Sequence, residues 1–175
     1  MKIDFEFFMD SLGRAGKMVG RHYFEITVAG SNETINRERV YCYELYHHLR
    51  NVLGDDFPYK LDGELDKINH PIIYDKIGAK KPDFVVHIPG DMARNLVVIE
   101  VKPISTRIDR FRDDLNTLQL SLSNAEYYKA IMLIYGDDES NSIDRIKEEF
   151  RAFSNEKLLL IWHKESMTIP ILLRV

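Results

Sequence analysis

A single cysteine, Cys42, stands in 175 residues. That excludes an internal disulfide and any Cys-rich metal centre, and it makes a cytoplasmic setting the default expectation. No apolar run approaches membrane-spanning length, so no membrane partner is expected. The first residues do not read as a signal peptide either, because Asp4, Glu6 and Asp10 interrupt their apolar positions. His22, His47, His48, His70, His87 and His163 include no His-Glu-x-x-His pair of the zinc enzymes. The Gly13 to Gly20 region lacks the Gly-Lys-Ser/Thr ending of a phosphate loop, so no nucleotide cofactor is expected. There is no helix-turn-helix or zinc-finger pattern, which leaves any sequence specificity to a homodimer, a partner subunit or substrate shape. Excess basic charge is missing too: 24 Lys and Arg against 28 Asp and Glu leave a net charge of -4, which weighs against nonspecific affinity for phosphate.

What is present agrees with one globular domain over residues 1–175, since 45% apolar and 30% charged residues suffice to bury a core. Two apolar runs carry the functional signal. Pro82-Asp83 heads the run Phe84 to Ile88, and Glu100-Val101-Lys102 closes the run Leu96 to Val101. Pro89 to Asn95, opening with Pro-Gly, reads as a hairpin loop between two strands. A hairpin closed there makes Asp83 and Glu100 cross-strand neighbours. Side chains alternate between strand faces, so Asp83 shares a face with Lys81, and Glu100 with Lys102. Charge set into such strands is costly without a partner or a metal. Two carboxylates at one locus suit Mg2+ (or Mn2+), which usually takes only one or two protein carboxylates. Water held by such an ion is a potential nucleophile, and Lys102 is placed to orient it or to offset developing negative charge.

Pro82-Asp83 with Glu100-Val101-Lys102 resembles the PD-(D/E)xK nuclease superfamily, the restriction-endonuclease-like fold. The resemblance covers roughly residues 36 to 136 and implies an α/β domain, a mixed central sheet flanked by helices in the order helix, three-strand meander, helix, strand, then helix and strand. Asn36 to Leu53 reads as the first helix, with Val40, Tyr43, Tyr46, Leu49 and Leu53 at helical spacing, Gly54 as its stop and Glu44 as the acidic residue that family helix often supplies. Ile108, Phe111, Leu115, Leu118 and Leu122 mark the second helix, and Ala130 to Tyr135 a buried strand. Ser142 or Asn141 can cap a third helix with Ile143, Ile146, Phe150 and Phe153 inward, before a strand from Leu158 to Trp162. Residues 137–175 are thus expected to complete the domain. Residues 1–35 form an N-terminal extension, in which Phe5 to Met9 begins a helix and Tyr23 to Val28 alternates like a strand.

The function implied is divalent-metal-dependent hydrolysis of phosphodiester bonds, DNA being favoured over RNA by the family alone. Asp83, Glu100 and the Val101 carbonyl are the expected metal ligands, Glu44 serves a second ion or a water, and Lys102 completes the catalytic set. Lys81, Arg107, Arg110 and Gln119 are expected to meet nucleic acid; some exonuclease branches follow that Gln with Tyr four residues on, where this chain has Ser123. Glu64 is a reserve ligand, although a solvated strand face from Lys60 to Lys67 is the simpler reading. His87 shares the face of Asp83 but reads as a hydrogen-bonded structural histidine. Eight basic side chains fall between Lys76 and Arg112 against five carboxylates from Asp75 to Asp109, a locally basic window in an acidic chain. Two alternatives stand beside the enzyme. One is a catalytically inactive module of the same fold for nucleic-acid binding or complex assembly. The other is an unrelated α/β domain docking proteins through Tyr41, Tyr43 and Tyr46, were those rings exposed rather than buried on their helix.

Overall fold

The computed structural model describes residues 1–30, 33–64, 81–138, 141–153 and 155–175. From the N-terminus come helix α1 (Lys2–Gly16), a helical turn α2 (Arg21–Phe24), the short paired strands β1 (Ile26–Thr27) and β2 (Thr34–Ile35), and helix α3 (Glu38–Leu53). Strands β3 (Lys60–Gly63), β4 (Phe84–Ile88) and β5 (Asp91–Pro103) follow, then helix α4 (Ile108–Asn124), strand β6 (Lys129–Tyr135), helix α5 (Ser142–Arg151), and strands β7 (Leu158–His163) and β8 (Ile171–Leu173). Among the described residues no helix is long and apolar enough to cross a membrane.

Strands β3 to β8 lie side by side in chain order in one mixed sheet. The β3-β4-β5 meander is antiparallel, β5, β6 and β7 are parallel, and β8 returns antiparallel. Alternation along the strands divides the core. Phe84, Val86, Ile99, Ile131, Leu133 and Tyr135 face α1 and α3, whereas Val85, Val98, Met132 and Ile134 face α4 and α5. The central strands are apolar on both faces because helices cover both.

The hairpin forms, but its loop is tighter than Pro89 to Asn95. Only Pro89 and Gly90 turn, Gly90 with φ +83°, and the chain re-enters the sheet at Asp91. Register shifts beside His87 absorb the extra residues. Asn95, expected in the loop, is buried instead and donates from Nδ2 to the Ala125 carbonyl at 2.7 Å. A bulge with an internal hydrogen-bond partner costs less than an exposed seven-residue loop over an apolar sheet.

Helix α3 ends at Gly54 (φ +69°), as expected. Its buried stripe is Tyr41, Cys42, Leu45, Leu49 and Leu53, rotated from the one traced through Val40, Tyr43 and Tyr46. Tyr41 is fully buried, Tyr46 half-buried, and Tyr43 62% exposed. Two apolar stripes overlap on this helix, and Leu45 with Leu49 decides between them. Helix α5 is capped by neither Asn141 nor Ser142: the Asp138 carboxylate accepts from the amides of Ser142 (2.5 Å) and Ile143 (3.1 Å). The Tyr23 to Val28 segment is not one strand, since Arg21–Phe24 turns helically before Ile26–Thr27 pairs with Thr34–Ile35.

Residues 2–16 are part of the main core. Phe8, Ser11, Leu12 and Ala15 recur at helical spacing, and all are buried between α3 and the sheet. Gly16 is required where α1 ends, since a Cβ there would lie 2.5 Å from the Pro170 ring. Leu12→Ala is expected to cost about 2–5 kcal/mol and to lower Tm by roughly 5–15 °C. Calorimetry that finds Tm unmoved would place α1 outside the folding unit.

A second buried feature gives the fold a pH dependence. The Tyr41 hydroxyl hydrogen-bonds His163 Nδ1 at 2.7 Å, the Tyr41 and Tyr135 rings stack at 4.0 Å, and Phe24 meets His163 edge-on. Burial pushes the imidazole down from 6.5 to about 4, against the weaker pull of the Thr168 and Glu165 backbones. The folded state therefore holds His163 neutral. Its contribution is complete above pH 6.5 and is lost as pH falls towards 4, by about 3 kcal/mol in all. Urea melts between pH 7.5 and 4.5 should show the native chain losing more stability on acidification than His163→Gln, over the opposite background that Asp83 and Glu100 give to both. Equal slopes would mean the ring is already charged in the fold.

Candidate active site

Phe84 pairs with Ile99, so Asp83 lies opposite Glu100 at the end of the hairpin. By alternation Asp83, Glu100 and Lys102 share one face at the end of the sheet, where side chains of both α3 and α4 reach them. Glu100 is 5% exposed. The Asp83 Oδ2 accepts from the Val101 amide at 2.7 Å, and the two carboxyl groups hydrogen-bond each other. Burial raises both proton affinities. Asp83 is pushed from 3.8 to about 6, the nearby Lys102 opposing the rise. Glu100 is driven well above the ordinary carboxylate range, first by burial and then by repulsion from Asp83 and Asp114. The hydrogen bond lowers Asp83 and raises Glu100, so the two carboxyl groups titrate together rather than independently.

Lys102 is the cation of the cluster. Its Nζ donates to Glu38 at 3.0 Å and lies 3.3 Å from Asp114. Its side chain is only 12% exposed, yet Asp83, Asp114 and Glu38 hold its pKa above the ordinary lysine value against the opposing effect of burial. Two carboxylates thus touch the ammonium, Glu38 from the first turn of α3 and Asp114 from α4, and two more interact with it electrostatically, Asp83 from the entrance to β4 and Glu100 from β5.

Glu38 and Asp114 take the place expected of Glu44. Glu44 binds His48 one turn on, Oε1 to Nε2 at 3.0 Å. Six residues beyond Glu38, it sits about 120° round the helix and about 9 Å along it. Both missed carboxylates had a sequence signal. Glu38 precedes Cys42, Leu45, Leu49 and Leu53 on the buried stripe, and Asp114 lies on the apolar stripe between Phe111 and Leu118. A carboxylate inside an apolar helix stripe needs an internal partner.

Of the four expected nucleic-acid contacts, Arg107 and Gln119 are committed elsewhere. Arg107 pairs with Asp109, its Nη2 2.5 Å from Oδ2. Gln119 donates to the Phe153 carbonyl at 3.1 Å, fastening α4 to the end of α5. Arg110 and Lys81 are exposed. Arg94 pairs with Asp91 and Arg112 with Glu149, so with Lys102 and Arg107 four of the window's six described basic residues are held in ion pairs; its Lys76, Lys80 and Asp75 lie outside the described residues. Glu64 accepts from Arg39 Nε at 3.0 Å on the surface, just beyond β3, and Leu65 to Lys67 are not among the described residues. His87 hydrogen-bonds Asp62 at 2.8 Å, the structural role expected of it. Cys42 is buried, its thiol pushed well up by burial and unreactive as a nucleophile.

Among the described residues no group of three or more His, Cys, Asp and Glu side chains closes on a common metal position. Two carboxylates, Asp83 and Glu100, do share a locus, and their chemistry fits a hard divalent cation. Their raised proton affinities come first from burial, and a divalent ion would offset that desolvation for the ionised pair. No protein-family model matches the chain, and no curated protein is a significant match.

Proposed function

We propose that this chain is a divalent-metal-dependent nuclease of the PD-(D/E)xK type, hydrolysing phosphodiester bonds of DNA on a restriction-endonuclease-like core. One observation carries the reading: Asp83, Glu100 and Lys102, spaced as in that signature, share one sheet face at one end of a mixed sheet, and both carboxyl groups have raised proton affinity. The element order from α3 to β7 supports it.

In this reading Asp83 and Glu100 hold Mg2+ or Mn2+. The ion supplies Lewis acidity and lowers the pKa of water to a useful range. Lys102 stays charged at neutral pH and sets its ammonium beside the reacting phosphate, orienting the attacking water and offsetting the charge that grows on the phosphorane-like transition state. Glu38 and Asp114 aim that ammonium and act as positioning residues. The Val101 amide fixes the Asp83 rotamer.

The test is cleavage of supercoiled, linear, nicked and branched DNA by the native chain with Mg2+ or Mn2+. Metal-dependent cutting is the expected result. The second reading, a module of this fold without turnover, draws on Lys102 being engaged by two carboxylates. Metal binding at Asp83 and Glu100 without cutting of any substrate would favour it. A homodimer or partner subunit would then supply what the single chain lacks.

A further inference from the structure

Asp83 also lines a second space, on the α3 side of the hairpin. Tyr43, Tyr46, Phe84, Gly63 and Glu64 complete its wall, around a cavity of about 390 Å3. That size falls within the roughly 300–1,000 Å3 of small-ligand pockets. Its floor is rigid: the Tyr46 ring packs on Phe84 with centroids 6.1 Å apart, and its hydroxyl donates to the Leu61 carbonyl at 3.0 Å. Its rim is not. Tyr43 is 62% exposed, and among the described residues its ring stacks on no other aromatic. Gly63 leaves open the space a side chain would take.

The charges choose the occupant. Glu64 and Asp83 are the ionisable groups on the wall apart from Cys42 and the tyrosines, and Glu64 is engaged by Arg39. An acidic, aromatic wall repels phosphate and accepts an uncharged, flat heteroaromatic ring. We propose that this cavity receives an unpaired nucleobase beside the scissile phosphate, stacked on Tyr43, so that the preferred substrate presents a single-stranded or extruded base at the cut. The proposal rests on the nuclease reading. It explains why an aromatic ring stands in water next to a catalytic carboxylate, since a base displaced from its stack is held between aromatic and apolar side chains. A paired base cannot reach the ring without leaving its duplex.

The experiment uses the full chain with Ca2+ and a DNA oligonucleotide carrying 2-aminopurine, in single-stranded and in fully paired form, each checked intact on a gel. Binding is followed by anisotropy and stacking by 2-aminopurine fluorescence. The native chain is expected to bind the single-stranded probe in preference and to quench it. Tyr43→Leu is expected to weaken that binding roughly tenfold, by loss of one base stack, and to abolish quenching; Tyr43→Trp should retain both. Gly63→Val adds bulk to the cavity wall and should act like Tyr43→Leu, its fold checked by circular dichroism; a Cβ there sits in ordinary contact, 3.6 Å from both Tyr46 and the Asp83 carbonyl. Native-like binding and quenching by both variants would overturn the cavity proposal and leave the nuclease reading standing. Failure of the native chain to bind either probe would overturn both.

Discussion

Asp83→Asn is expected to eliminate metal-dependent cleavage and at the same time to raise Tm at pH 7.5. The first effect follows from removing one of the two carboxylates proposed to hold the divalent ion. The second follows from the direction of its pKa shift. A carboxyl raised from 3.8 to about 6 in the fold adds stability below pH 3.8, and that stability is lost as pH rises through 6. At pH 7.5 the ionised, largely buried group is therefore a net cost, and a neutral amide of the same shape relieves both its desolvation and its repulsion from Glu38. The gain in Tm should shrink as pH falls below 5, where Asp83 is protonated in any case. Mg2+ should raise the Tm of the native chain, more at pH 7.5 than at pH 5, and leave Asp83→Asn unmoved. Cutting by this variant at the native rate would remove Asp83 from the chemistry; a variant Tm that still rises with Mg2+ would place the metal elsewhere.

Lys102→Ala is expected to damage both fold and activity. It leaves Glu38, Asp83, Glu100 and Asp114 facing one another with no cation. Breaking a buried ion pair from one side costs roughly 3–5 kcal/mol. The lower end applies here, because the Glu38 side chain remains 36% exposed and partly screened. On the nuclease reading, removing one charged stabiliser of the transition state lowers the rate by roughly 10²–10³-fold. The two losses separate on addition of Mg2+. A divalent ion between the carboxylates should restore much of the missing stability, seen as recovery of the urea midpoint, but little of the rate. Recovery of both would make Lys102 a structural counter-ion alone. A Lys102→Ala chain as stable as the native one without metal would mean that the carboxylates already hold enough protons to need no ammonium.

Much of this site was readable before any coordinates, for local reasons. Period-two alternation of β-branched residues on both sides of Pro89-Gly90 leaves few registers for the hairpin, and any of them with a tight turn brings Asp83 towards Glu100 on the face of Lys102. The bulge at His87 changed the turn without disturbing the far end of the ladder, since its register shifts lie between Val86 and Ile88. The helices were less readable. Glu44 was favoured as the only charge in an apolar stretch, but a stretch is not a face, and the true stripe through Cys42, Leu45 and Leu49 carries Glu38 at its head. Gln119 and Arg107 read as ligand contacts from their position alone, whereas internal partners hold them: the Phe153 carbonyl, distant in sequence, and Asp109, two residues on.

The sequence by itself determined which residues share a strand face, that a hairpin opens at Pro89-Gly90, that α3 stops at Gly54, and that Asp83, Glu100 and Lys102 stand together, because those properties depend on backbone periods of two or 3.6 residues and on contacts close along the chain. Tertiary structure alone decided the rest. The roll of α3 against α1 and the docking of α4 on the sheet brought Glu38 and Asp114 to Lys102, from 64 and 12 positions away. The burial of Glu100 and His163 set their proton affinities, and the packing of α3 over β3 and β4 left a cavity beside Asp83 with Tyr43 at its mouth. Desolvation and helix docking depend on the summed packing of segments distant in sequence, and no local pattern carries that sum.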